Sequence, residues 1–504
     1  MNSKVIMIGA GVANVNAATK LIDEGYKGKI TIIDMGKDPY LRPYEEVMTG
    51  FLGAGGWSDG KLTYHTSIGG QLSKYVGEEK AMELFDQVIN NFKRFHPKPE
   101  EVQCSNPIAE PDFIKPYFGL RLFPVWHVGT DYLHEIGKNW YDFLVKGGVE
   151  FIWETKVTAI DFDNNELFIG EEESFVNPKN WPISYDTLIF GVGKSGIDFG
   201  KQLAEQFDLP TEPKPVQIGV RFEAPQKHFQ KLIDVSYDFK LYRKYEDKGV
   251  SLRSFCTNNN AAYVAVEQTY GDVSYNGHAK KGEEHRNDMT NFGILMEIQG
   301  INDPFTWSRE LVKEVNESWM DCSKGIGRYA RKAHSGLYYS PTREAGMTSE
   351  GIKVDAMPIK SLDRVKDAFQ GYYDYIEDFI NDMKKVFPTL KDDWGIYVPE
   401  VKYLSPEPLV NYNDLSLTKY PSVHFVGDAL SARGITVSGA QGTLVAEQIL
   451  SSNSTNAGET MDKSISDFLN DPANNKEPHE MGDMHEYIQG GLTMPKENTN
   501  KLNK

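Results

Sequence analysis

The chain has 504 residues, 40% of them hydrophobic and 25% charged, which suits two or three globular domains of roughly 100–200 residues each and excludes a fibre or a wholly disordered chain. A formal net charge of −18 excludes bulk electrostatic binding to nucleic acid or to an anionic membrane, though not a local basic pocket. No apolar run is long enough for a transmembrane helix, no signal peptide is evident, and the three cysteines, Cys104, Cys256 and Cys322, stand far apart, so a reducing, cytoplasmic protein without a disulfide framework or structural zinc is expected.

Residues 4–34 carry the strongest pattern. Val5-Ile6-Met7-Ile8 is an apolar run of the kind buried on both faces of a parallel sheet. Gly9-Ala10-Gly11-Val12-Ala13-Asn14 follows, then a helix through Ile22 that ends near Gly25, then a second strand, Lys29–Ile33, that ends in Asp34. This is a βαβ unit with a G-x-G-x-x-N turn. Free N–H groups at a helix start favour a dinucleotide pyrophosphate; Gly9 permits the tight turn and Gly11 the close approach. Asp34, 20 residues beyond Asn14, is placed to accept both ribose hydroxyls of an adenosine. Asn14 stands where Gly or Ala is usual, which predicts looser helix–strand packing or a polar contact to the cofactor.

A Gly-rich stretch covers 50–70, and helical spacing covers 78–95. Residues 97–126 are Pro-rich and irregular, Tyr132–Val145 reads as a helix, and Val149–Phe162 as a strand. Asp186–Phe190 is a further buried strand, followed by Gly191-Val192-Gly193-Lys194-Ser195-Gly196 and a helix to about Phe207. Mixed α and β elements fill 210–415, with strands at Gln217–Phe222 and Ala262–Val266 and helical periodicity over 362–387. A last buried strand, Val423–Val426, leads into Gly427-Asp428 and a helix over Val437–Leu450. Beyond Ser451 the chain is polar, with a short helix expected near Ile465–Leu469 and otherwise disorder. No internal repeat of about 20–50 residues is evident.

The fingerprint alone does not choose between nicotinamide and flavin. Four stretches add to it: Gly55-Gly56-Trp57-Ser58-Asp59-Gly60-Lys61-Leu62-Thr63; His127-Val128-Gly129-Thr130-Asp131; Ile218–Glu223 with Arg253–Cys256; and Gly427-Asp428 with Arg433-Gly434-Ile435. In these the chain resembles FAD-dependent dehydrogenases of the two-dinucleotide-binding-domain flavoprotein superfamily, more narrowly their largely uncharacterised bacterial branch, from about residue 4 to 450. The resemblance implies non-covalent FAD. Asp428 would bond the ribityl–pyrophosphate part, and Gly434, Ile435 and Thr436 would approach the flavin, where the following helix dipole favours negative charge on the reduced ring. It further implies that the Val157 backbone contacts adenine and that Gly191 and Gly193 pack beside the cofactor. Ser58 and Lys61 would run along pyrophosphate and flavin. Arg42, shortly after Asp34, suggests an adenosine-phosphate contact. A separate nicotinamide site at Gly191–Gly196 is disfavoured, because no acid or arginine cluster follows at the right distance.

Flavin chemistry needs no obligatory side chain, but substrates that lose an O–H or N–H proton gain from an acid or base. Lys61, His65, Cys256, Arg253 and His278 are the candidates. Cys256 lacks a partner cysteine, which excludes dithiol exchange and suggests a buried, inert thiol. Lys324, Arg328, Arg331, Lys332 and Arg343 form a local basic cluster, expected as a solvated helix face, with reception of an anionic substrate such as a nucleotide or nucleic acid as the alternative.

The expected fold is α/β: a three-layer, Rossmann-like FAD-binding domain with a parallel sheet, built from 1–75, 120–210 and 415–450. A mixed α+β substrate domain is inserted at 211–414 and a helical, Pro-rich insert at 76–119, with a polar tail at 451–504. The expected activity is hydride transfer between a small or nucleotide-like substrate and flavin N5, with NAD(P)H a possible electron donor. Two alternatives remain open: an FAD-dependent lyase or base-modifying enzyme, and a non-catalytic dinucleotide sensor.

Overall fold

Strand β1 (Lys4–Ile8) is apolar because both of its faces are covered: Val5, Ile6 and Met7 are fully buried and Ile8 nearly so. It pairs in parallel with β2 (Lys29–Ile33) on one side and with Thr187–Phe190 on the other. The computed structural model describes residues 3–44, 46–170, 182–322, 337–343, 357–358, 362–404 and 406–455. In it a 5-stranded sheet runs in the order Val423–Phe425, Thr187–Phe190, β1, β2, Glu150–Ile152, every pairing parallel. Chain order reverses between β1 and Thr187–Phe190. A crevice at the carboxyl ends of the strands opens at such a switch point.

Helix α1 (Val12–Asp23) covers the sheet with Ala13, Val15, Ala17, Ala18 and Leu21. The long helix Ile435–Thr455 crosses it at Gly442, where a Cβ would lie 1.8 Å from the Ala13 carbonyl oxygen. Helix Glu78–Phe95 meets the same pair: a Cβ at Gly439 would touch both Val88 and Asn16. Trp140, on helix Leu133–Lys146, donates to Thr19 Oγ1 at 2.7 Å and ties a fourth helix to α1.

The expected strand over Val149–Phe162 is two strands. Glu150–Ile152 joins the parallel sheet, and Val157–Asp161 starts an antiparallel sheet with Glu166–Ile169 and Ile183–Ser184. The break falls at Glu154, whose φ of 50° no strand accommodates. Residues 362–387 likewise form two helices, Asp363–Ala368 and Tyr373–Val386, separated at Gln370 (φ 51°) and Gly371 (φ 89°). The C-terminal helix begins at Ile435, two residues before the expected start.

The second core lies against an 8-stranded, largely antiparallel sheet. Its central strands, Val216–Pro225, Met289–Ile298, Val250–Asn260 and Gly395–Lys402, send Ile218, Val220, Phe222, Phe292, Ile294 and Met296 toward Ile376, Phe379, Ile380 and Met383 of helix Tyr373–Val386. Gly119–Leu122, placed by sequence at the edge of the dinucleotide-binding part, instead pairs with Phe239–Tyr245 as an edge strand of this sheet. A hairpin, Ala262–Thr269 with Asp272–Ala279, faces strand Gly395–Lys402, with Tyr275 and Tyr397 rings 5.3 Å apart. No helix among the described residues is long and apolar enough to cross a membrane. Residues 451–455, expected in the polar tail, continue the helix Ile435–Thr455; the helix expected near Ile465–Leu469 and the rest of the tail expected to be disordered lie outside the described residues.

Candidate functional site

A cavity of about 640 Å³ opens at the carboxyl ends of β1, β2 and Thr187–Phe190 and reaches the face of the larger sheet. Gly9, Gly11 and Asp34 line one end, and Val157 joins them, because Thr155 N donates to the Asp34 carbonyl at 3.0 Å. Gly191 and Gly193 open onto the same space, as do Gly427, Asp428, Gly434 and Ile435. Ser58 and Lys61 complete the wall; Ser58 Oγ donates to the Ala54 carbonyl at 2.9 Å.

The glycines are needed by close approach. Gly9 has φ 90°, and a Cβ on it would lie 2.6 Å from the Gly191 carbonyl oxygen. Helix α1 starts at an N-cap, Gly11, with no side-chain cap and no acid in the first turn, so its leading N–H groups are left for an anion. The helix at Ile435 likewise has no acid in its first turn, and the buried Thr436 Oγ1 there has no partner. These features fit a dinucleotide. Thr436 itself does not line the cavity.

Asp34 differs from expectation. Its Oδ2 accepts from Ala10 N at 2.6 Å, and its Oδ1 from Gly36 N at 2.7 Å and Gly50 N at 2.9 Å. Three of about four carboxylate lone-pair sites are thereby taken. The carboxylate clamps the glycine turn to the 49–50 loop and has room for one hydroxyl, not both. Asn14 is a second correction. It is fully buried, and its Nδ2 donates to the Ile8 and Gly9 carbonyls at 2.9 and 2.7 Å. A Cβ on Gly191 would lie 2.7 Å from that amide. Asn14 therefore tightens the helix–strand junction, and it lies outside the cavity lining. Arg42 is a third: its guanidinium donates to the carbonyls of Glu46, Val47 and Phe51 and sits 4.3 Å over the Trp57 ring, holding the 46–53 loop from outside the cavity.

The opposite wall holds a charged cluster. Strand Lys61–Thr63 brings Lys61 Nζ to 3.0 Å from Cys256 Sγ and 2.8 Å from the Thr257 carbonyl that it donates to. Burial alone would lower the ammonium pKa. The Cys256 sulfur, Asp59 and Asp238 outweigh it and hold Lys61 above the ordinary lysine range. Cys256 has φ 52° at the bulge between Phe255 and Asn258. Its carbonyl accepts from Arg221 Nη1 at 3.3 Å and Asn258 Nδ2 at 3.2 Å, which hold this uncommon conformation in place. Cys256 thus lines the cavity beside an ammonium rather than in an apolar core.

Next to this pair, Lys194 of the second glycine turn donates to Glu267 Oε2 at 2.7 Å, and Asn276 Nδ2 donates to Glu267 Oε1 at 2.7 Å. Burial raises the Glu267 carboxyl, but Lys194 and Lys402 outweigh it and leave it at about 2. Asn276 Oδ1 in turn accepts from Arg221 Nη2 at 3.2 Å, so the Glu267 pair and the Cys256 bulge share one scaffold.

The remaining candidates lie away from the cavity. His65 Nδ1 accepts from Ser67 N at 3.1 Å, Arg253 donates to Gln217 Oε1 at 3.2 Å, and His278 is buried with neither ring nitrogen bonded. Arg343 is paired with Glu223 at 3.3 Å; Lys324, Arg328, Arg331 and Lys332 fall outside the described residues. Asp238, Lys240, Glu267 and Lys402 line the cavity without having been singled out from sequence. The available signal was a charged residue inside an apolar strand: Lys240 between Phe239 and Leu241, Glu267 after Val264-Ala265-Val266, Lys402 after Val401.

No family model matches the chain. A protein of Clostridium beijerinckii, described only as uncharacterized, is 23% identical over 490 residues, covering 89% of this chain and 81% of that protein. Among solved structures, L-proline dehydrogenase from P. horikoshii is 10% identical with a TM-score of 0.39 and covers 90% of this chain and 94% of its own. Glycine oxidase from Bacillus cereus is 11% identical with a TM-score of 0.38, covering 90% and 96%. A flavoprotein/dehydrogenase from Cytophaga hutchinsonii is 14% identical with a TM-score of 0.35, covering 89% and 79%. Overlaps of that size assign no activity to this chain.

Proposed function

We propose that this chain is an FAD-dependent oxidoreductase that exchanges hydride between a small substrate and the flavin. The observation that carries the reading is one continuous cavity. It joins the uncapped glycine turn of β1 and α1 and the acid at the end of β2 to the Gly427–Ile435 turn, and then to the Lys61–Cys256 pair. Non-covalent FAD would be held by Asp34 and Val157 at the adenosine, Gly9, Gly11 and Ser58 at the pyrophosphate, and Asp428, Gly434 and Ile435 toward the flavin. Bound there, it would supply hydride transfer at N5.

The chain's own part is to orient substrate and to stabilise charge. Lys61 Nζ, which donates to Cys256 Sγ at 3.0 Å and stays protonated, would orient a polar group of the substrate and stabilise negative charge that develops on it. The Arg221 and Asn258 bonds to the Cys256 carbonyl would hold the backbone that carries the thiol.

The test is the visible absorption spectrum of the purified protein after incubation with FAD and removal of excess, then after anaerobic NADH or NADPH. Retained flavin bands are expected. Bleaching would make a nicotinamide the electron donor; bands without bleaching would leave a substrate-reduced dehydrogenase. A protein that stays colourless and takes up no FAD would overturn the proposal.

A further inference from the structure

The cations lining the cavity are, with one exception, engaged. Lys61 meets Cys256 and Thr257, Lys194 meets Glu267, Lys240 meets Asp238 at 3.1 Å, and Arg433 meets Asp428 at 2.8 Å. Lys156 is likewise engaged. Lys402 is the exception: among the described residues its ammonium has no carboxylate within 4.0 Å and no hydrogen-bond acceptor. It lies 4.7 Å from the centroid of the half-buried Phe255 ring, which also lines the cavity. Lys240, which also lines the cavity, stands 5.2 Å from the same ring. A ring face attracts an ammonium but does not neutralise it. The result is an aromatic surface beside ammonium groups, of which the one on Lys402 has no direct ion-pair or hydrogen-bond partner among the described residues, although the Glu267 and Glu400 carboxylates act on it at longer range; such a place suits an anion that brings apolar surface with it.

We infer that the substrate end of this cavity recognises an organic carboxylate on an apolar body, with Lys402 as ionic partner and Phe255 as apolar floor. This rests on the reading of the same cavity as a flavoenzyme site and adds its substrate class. Carboxylate is favoured over phosphate because the phosphate-type features, the glycine turn and the uncapped helix start, stand at the other end of the cavity. One ammonium beside a ring matches one negative charge on a flat or aliphatic group.

The experiment is isothermal titration of the purified, FAD-incubated protein with benzoate, its neutral isostere benzamide, and inorganic phosphate as a competitor of benzoate. Benzoate is expected to bind about tenfold or more tightly than benzamide, and Lys402→Met to lose about tenfold in benzoate affinity while Lys402→Arg retains most of it. Equal binding of benzoate and benzamide, no binding of either, or an unchanged Lys402→Met would overturn the proposal. Phosphate competing as well as a second carboxylate would overturn the carboxylate assignment. If Lys402→Met does not fold, the benzoate-to-benzamide ratio on the native protein decides. Heat, not colour, is the readout, so the two proposals fail separately. Carboxylate selectivity in a protein without flavin bands would sink only the flavin reading, and flavin bands without selectivity only this one.

Discussion

At the scale of single residues, the Lys61–Cys256 contact carries the most direct chemical consequence. Lys61 donates a hydrogen bond to Cys256 Sγ, and a positive charge beside a sulfur stabilises the charge that develops as it attacks. Lys61→Met is therefore expected to slow alkylation of Cys256 by iodoacetamide by about tenfold at neutral pH. Cys104, whose sulfur donates to Asn106 Oδ1 at 3.5 Å and is not hydrogen-bonded by an ammonium among the described residues, serves as the internal reference; an unchanged ratio of the two rates would remove Lys61 from the role. Two buried histidines set a pH dependence. Burial, reinforced by Lys61 and Lys281, pushes His127 down to about 3; burial, with Lys280 and Arg221, does the same to His278. Both are neutral when folded and take up a proton when unfolded below their ordinary value. Their contribution to stability is complete above about pH 6.5 and is lost as pH falls toward 3. The expected slope is about 1.4 kcal/mol per pH unit for each histidine. Urea unfolding at pH 7, 6 and 5 reads it, and His127→Gln should flatten the slope relative to the native chain. Neither histidine's state was legible in the sequence, because a lone His gives no sign of how deeply its strand is covered. Asp34 was legible as a terminal acid on β2, but not as a residue whose lone pairs the backbone already occupies.

At the scale of elements, glycines show where helices touch. Gly442→Ala would drive a Cβ to 1.8 Å from the Ala13 carbonyl, backbone that cannot rotate away. The expected loss is about 3 kcal/mol or more, with α1 and its glycine turn displaced. Gly200, inside helix Ile197–Gln206, is the contrast: its added Cβ would meet only the Phe190 ring at 3.5 Å. Gly200→Ala should stabilise by about 0.5–1 kcal/mol through helix propensity. Thermal melts of the two variants check both; a Gly442→Ala protein as stable as the native chain would contradict the helix crossing. Periodicity located α1, helix Glu78–Phe95 and helix Leu133–Lys146 to within a residue or a few. It failed at Glu154 and at Gln370-Gly371, where a left-handed residue interrupts an apolar pattern that runs on unbroken.

At the scale of the whole molecule, the cavity is lined both by the parallel sheet's carboxyl ends and by the face of the larger sheet. A dinucleotide bound there would favour the native state over the unfolded one. FAD at about 100 times its dissociation constant is expected to add about 2.7 kcal/mol, read as a rise in Tm that grows with FAD concentration. Gly9→Ala should abolish the rise, since a Cβ there strikes the Gly191 carbonyl at the phosphate turn. A Tm indifferent to FAD in the native protein would speak against the cofactor proposal.

The sequence by itself determined the βαβ unit, the glycine turn, the acid at the end of β2 and the buried strands of the parallel sheet. These are set by local rules: an alternation or run of apolar residues, a turn that only glycine can make, a helix start without an acid. Only the tertiary structure decided that Asn14 and Arg42 brace the turn from outside the cavity. It alone brought Lys61, Cys256, Glu267 and Lys402 to one wall. Those four stand on separate strands, Cys256 and Glu267 on consecutive ones but Lys61 and Lys402 far from them along the chain, and their partners depend on which strands pair. Register and sheet order are cooperative properties of the folded core, and no window of neighbouring residues contains them.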